Sequence, residues 1–152
     1  MNLFERVREL VGRQRPLAKD AKGEPVDLEI RAAAAVLLLE AAHGDEAYVW
    51  REERTLVRGL ERAFGIGREE VRELLARAEE IRPPVVTLAD LTGLLAGRYD
   101  GAQRKQVLAL VWRVIEADAE VAPWEAAFAE HVTRALGLTA AEAAEVRSAG
   151  RR

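Results

Sequence analysis

The stretch Leu108-Ala-Leu-Val-Trp-Arg-Val-Ile115, Glu116-Ala-Asp-Ala-Glu-Val-Ala122, Pro123-Trp-Glu125 decides the fold. Its first part is an apolar run in which Val107, Leu108, Leu110, Val111, Val114 and Ile115 cover more than one helical face, so the helix carrying them is central. A short acidic corner follows. Pro123 then opens a new helix, because a missing N–H costs nothing in a first turn. Phe128, Val132 and Leu136 continue that helix to a stop at Gly137-Leu138. The stretch reads helix, acidic corner, helix.

A second copy lies 72 residues earlier. Without gaps, Val49 falls on Val121, Glu53 on Glu125, Leu56 on Phe128, Leu60 on Val132 and Arg62 on Arg134. Phe64-Gly65-Ile66 falls on Leu136-Gly137-Leu138, and Glu70 on Glu142. The aligned glycine is the informative match, since a helix-ending glycine answers a left-handed backbone need. Two copies are too few for a solenoid array, so two helix–corner–helix units facing each other are expected.

Working outward from the two units, Asn2 to Val11 places Leu3, Phe4, Val7, Leu10 and Val11 on one helical face, predicting an N-terminal helix within 1–14. Residues 15–26, with Pro16, Gly23 and Pro25 among charged residues, read as a flexible linker. A single all-α domain is expected over 27–146. Asp27 caps its first helix, which is apolar on nearly all sides through Ile30, Val36, Leu37 and Leu38. Further helices are expected from about Trp50 to Gly65 and from Gly67 to about Ile81, where Pro83-Pro84 stops the chain. Another runs from Thr87 to Gly97, and Asp100 caps the one after it. Thr139-Ala-Ala-Glu142 is a capping box for a last short helix to about Val146, with 147–152 as a frayed basic tail. The total is seven to eight helices in two repeated halves.

Composition excludes several functions. With 152 residues, 49% apolar and 32% charged, the chain has enough apolar sequence for one core. There is no cysteine, and Ser148 is the sole serine, so thiolate metal sites and serine or cysteine nucleophiles are ruled out or nearly so. A net charge of -3 gives no electrostatic reason to bind nucleic acid. Ala32 to Leu39 is about half the length of a membrane span, and no secretory leader is recognisable, so a cytoplasmic protein is expected. Arg6, Arg8 and Arg13 beside the N-terminal apolar face leave peripheral membrane association open.

The candidate site is the pair of acidic corners. Glu116, Asp118, Glu120 and Glu125 lie within ten positions; His43, Asp45, Glu46, Glu52 and Glu53 occupy the first unit. Such carboxylates can bind the free amides of a helix start, or offer hard oxygen ligands to a divalent cation. Neither corner carries the twelve-residue calcium loop. Trp50, Trp112 and Trp124 read as packing residues, and His131 as a surface residue.

The pattern of an apolar helix, an Ala-x-x-Asp-Gly-x-(aliphatic)-Asp-x-x-Glu corner and a helix ending in Leu/Phe-Gly-aliphatic, given twice, resembles the TerB-like (tellurite-resistance TerB) family over roughly Asp27 to Val146. Asp118, Val121 and Glu125 match it; Ala119 stands where the family has Gly, and Ala122 where it tends to have Asp. The resemblance implies an all-helical fold of two halves. It also implies divalent-metal binding in the corners and a role in bacterial stress response or membrane-associated assemblies. The expected function is a non-enzymatic interaction or scaffold module with a protein partner. The alternative is a Ca²⁺, Mg²⁺ or Mn²⁺ sensor or buffer using Asp118, Glu120, Glu125, Asp45, Glu46 and Glu53.

Overall fold

The computed structural model describes residues 17–43, 50–83, 86–117 and 121–150, with only the backbone described at 43, 50–53 and 150. Seven helices account for most of them: α1 Leu28–His43, α2 Trp50–Phe64, α3 Arg68–Ile81, α4 Leu88–Arg98, α5 Gly101–Ile115, α6 Pro123–Ala135 and α7 Ala140–Gly150. No strand occurs among the described residues; Lys19 and Pro25 form an isolated bridge. The fold is all-α.

Side-chain caps start α1, α4, α5 and α7 where the sequence places them. The Ile30 amide donates to the Asp27 carboxylate, and the Asp90 amide to the Thr87 hydroxyl. Asp100 and Gln103 form a reciprocal box at the start of α5, and Thr139 and Glu142 form another at α7. Each bond satisfies a first-turn amide that the helix itself leaves free.

The core is built on α1 and α5. Residues 32–39 of α1 are all buried, as a helix apolar on every side requires, and α1 packs on α2, α3, α4, α5 and α6. Six alanines, including Ala32 to Ala35, let those neighbours approach closely. On α5, Leu108, Val111 and Ile115 have no exposed surface. Burying one such leucine contributes about 1.5–3 kcal/mol.

The duplication is visible element by element. A shift of 72 carries α1, α2 and α3 onto α5, α6 and α7. Each first helix packs on its own third helix, and the second helix of each unit packs on the first helix of the other. Gly65 (φ 63) and Gly137 (φ 73) end α2 and α6 in the left-handed region. The Ile66 amide donates to the Glu61 carbonyl at 3.3 Å and the Leu138 amide to the Thr133 carbonyl at 3.0 Å, so the two turns share one hydrogen-bond pattern.

Two boundaries differ from the sequence expectation. Residues 17–26, expected as flexible linker, form a tight loop docked on the α4–α5 junction. Leu17 and Val26 are buried, Gly23 turns the chain with φ 81, and the Val26 amide donates to the Ala18 carbonyl. The Tyr99 hydroxyl donates to the Leu17 carbonyl at 2.6 Å, and the Gln103 amide to the Lys19 carbonyl at 2.6 Å. At the other end, α7 continues to Gly150 instead of fraying after Val146, because Arg147 has partners on α5. Residues 1–16, which hold the whole of the expected N-terminal helix, lie outside the described residues.

Candidate functional site

The second corner joins α5 to α6. Helix α5 ends at Ile115, and the Glu116 amide donates back to the Trp112 carbonyl at 2.8 Å. Helix α6 begins at Pro123 after an extended Ala122. Ala122 has no side-chain acceptor to offer the first turn. Glu125 supplies the other half of a capping box: its Oε1 accepts from the Ala122 amide at 2.9 Å. The residue is only 6% exposed, so this bond satisfies a charge held away from solvent.

Glu116 is engaged as well. Arg147 Nε lies 3.4 Å from its Oε1, and the same guanidinium sits over the Trp112 ring, 4.2 Å from the centroid. Cation, ring and carboxylate together fasten α7 to the end of α5. Of the two corner carboxylates that the structure describes, Glu116 therefore ties two elements together and Glu125 caps the start of its own helix.

The remaining predicted ligands are not brought into view. Asp118, Glu120, Asp45 and Glu46 lie outside the described residues, and Glu53 is described only as a position in α2. Among the described residues no group of three or more His, Cys, Asp or Glu side chains is placed to hold a metal ion. Of the acidic side chains described at the corner, Glu116 is paired with a guanidinium and Glu125 accepts from a backbone amide. His131 is exposed, as expected.

The most developed polar cluster was missed by sequence reasoning. Asp20, 6% exposed, accepts from the Lys22 amide (2.9 Å), the Glu24 amide (3.0 Å) and Arg98 Nη2 (3.1 Å). The Glu24 amide, helped by the Lys22 amide and Arg98 and opposed by burial, holds its carboxyl below the ordinary value. Close by, burial pushes the Tyr99 hydroxyl well above its ordinary value, against the pull of Arg31 and Arg98. The available signal was Leu17 and Val26 bracketing an Asp-x-x-Gly turn; its partners lie about eighty residues away along the chain.

The Tellurite resistance protein TerB family matches residues 31–148. The chain belongs to the TerB family. The TerB match begins inside α1 and ends inside α7, so it spans both helix triplets. A crystal structure of a protein of unknown function from Porphyromonas gingivalis W83 is similar in fold, with a TM-score of 0.63 and 18% identity over 84% of this chain and 91% of that one. No curated protein matches significantly. Among the described residues, no helix is long and apolar enough to cross a membrane.

Proposed function

We propose that this TerB-family chain is a non-enzymatic interaction module serving a bacterial stress response of the tellurite-resistance type. One observation carries the reading: the described corner carboxylates are engaged in the fold itself, Glu125 capping α6 through the Ala122 amide and Glu116 tying α7 to the end of α5 through Arg147. The ends of α5 and α6 on either side of the corner, held in this way, are the surface that a partner would read. The lack of cysteine and the single serine agree with a protein that does no serine- or cysteine-based nucleophilic chemistry.

Affinity capture with the tagged full chain, in its native bacterium with and without tellurite, tests the proposal. The expected result is a stoichiometric protein partner enriched under stress and lost when the exposed positions Ala126 and Ala127, in the first turns of α6 beside the corner, are changed to Asp. Recovery of no partner under either condition counts against it. A second reading, divalent-ion binding by Asp118, Glu120 and Glu125 with Asp45, Glu46 and Glu53, draws its support from family membership and carboxylate spacing.

A further inference from the structure

The loop of residues 17–26 stands apart from the rest of the fold. The TerB match begins at residue 31, and the shift of 72 carries 17–26 onto 89–98, which lie in helix α4. The loop therefore has no counterpart in the repeat. Its shape comes mainly from bonds within itself. The Asp20 amide donates to the Glu24 carbonyl (2.8 Å), the Gly23 amide to the Asp20 carbonyl (3.0 Å) and the Val26 amide to the Ala18 carbonyl (2.9 Å). The Asp20 carboxylate accepts from the Lys22 and Glu24 amides. A short loop whose ends meet and whose backbone groups pair internally is able to move as a unit.

Its hold on the helices is concentrated at one place. Leu17, Asp20 and Val26 face inward and are buried, while Lys19 and residues 21–25 are exposed. The Arg98 guanidinium donates to the Asp20 carboxylate, the Tyr99 hydroxyl to the Leu17 carbonyl and the Gln103 amide to the Lys19 carbonyl. The Ala21 amide donates in turn to the Arg98 carbonyl at 2.8 Å.

The first half shows that a helix start of this kind packs without such a cover. The shift of 72 carries Leu28 and Arg31 onto Asp100 and Gln103. Among the described residues, Leu28 and Arg31 line a cleft of about 240 Å³ that opens between the start of α1 and α3, and Leu28 is 50% exposed. Helices α1 and α3 still pack against each other. Gln103, in the equivalent place, has no exposed surface, because the loop lies over it.

We infer that residues 17–26 form a latch that lifts from the α4–α5 junction as a unit while the seven helices stay packed. Closed, the latch engages the donors of Arg98, Tyr99 and Gln103. Lifted, it bares them together with the apolar seats of Leu17 and Val26, and so controls whether a partner can read this face. That last consequence rests on the interaction-module reading; the lifting itself does not.

Native-state hydrogen exchange of the ¹⁵N-labelled full chain tests the lifting alone, since local opening exchanges amides without global unfolding. The Ala21 amide reports lifting, because its acceptor belongs to α4. The Leu37 and Val111 amides, in α1 and α5, report global unfolding. Ala21 should exchange at least about tenfold faster than either. Leu60→Ala weakens the shared core and should speed Leu37 and Val111 by about 30-fold or more, leaving Ala21 unchanged. Tyr99→Phe removes the bond to the Leu17 carbonyl and should speed Ala21 by about 2- to 10-fold. Exchange of Ala21 at the rate of the core amides, or an Ala21 rate that rises with theirs in Leu60→Ala, overturns the inference. So does an Ala21 rate that Tyr99→Phe leaves unmoved.

Discussion

The two helix triplets share a register of 72 residues and the same pair of glycine stops, yet their surroundings differ. In the second, the start of α5 is sealed by the 17–26 loop, and α7 is fastened by Arg147. In the first, Arg31 and Leu28 face an open cleft, and α3 is tied to α1 through Arg82 and Glu40 at 2.7 Å. The duplicated sequence therefore sets helices, stops and core. A segment outside the duplication, residues 17–26, finishes the second half and leaves the first open.

That comparison is most severely stressed in the shared core. Leu60 and Val132 are equivalent and have no exposed surface. Leu60→Ala should cost about 2–5 kcal/mol in chemical denaturation; Val132→Ala, removing a smaller side chain, should cost less. A Leu60→Ala loss well below that range would mean the first half packs loosely.

Gly65→Ala and Gly137→Ala probe the repeat itself. Both glycines have positive φ, and neither would meet a serious clash on gaining a Cβ: nothing lies within 4 Å of the first, and Arg104 Nη1 is 3.5 Å from the second. Each substitution should cost about 1–2 kcal/mol from backbone strain, and the two losses should agree. A clear inequality, read from paired melting curves, breaks the equivalence of the stops.

The corner yields a similar loss with a diagnostic twist. Glu125→Ala removes the acceptor of the Ala122 amide and should cost about 1 kcal/mol. Glu125→Gln keeps an oxygen in place and should stay near the parent's stability. Arg147→Ala should cost about 0.5–1 kcal/mol, because its contacts with Trp112 and Glu116 are partly exposed.

Asp20 gives the smallest effect, and one that depends on pH. Its carboxyl is lowered from 3.8 by the Glu24 amide first, so its contribution is full above that value and is lost as pH falls through the lower folded value. The gap in melting temperature between the parent and Asp20→Asn should therefore be constant at neutral pH and shrink below about pH 4.

Helices were legible because their determinants are local. Asp27, Thr87, Asp100, Pro123 and Thr139 act on amides within the next few residues, and Gly65 and Gly137 on their own turns. The 17–26 loop was not legible as structure. Its polar composition resembles that of a linker, and what orders it comes from Arg98, Tyr99 and Gln103. The end of α7 was misjudged for the same reason: apolar residues run out after Val146, while Arg147 gains its hold from Trp112 and Glu116 on another helix. In the acidic corner, spacing alone left capping and metal binding both open. Glu125 and Glu116 turned out to serve as cap and tie, roles that depend on where Ala122 and Arg147 lie in space.

The claim that the corner carboxylates serve as cap and tie is tested most directly by calorimetric titration of the full chain with Ca²⁺, Mg²⁺ and Mn²⁺, alongside melting curves. The account predicts no saturable heat and no shift in melting temperature at millimolar ion. Saturable binding that raises the melting temperature and disappears in Asp118→Ala or Glu125→Gln would contradict it.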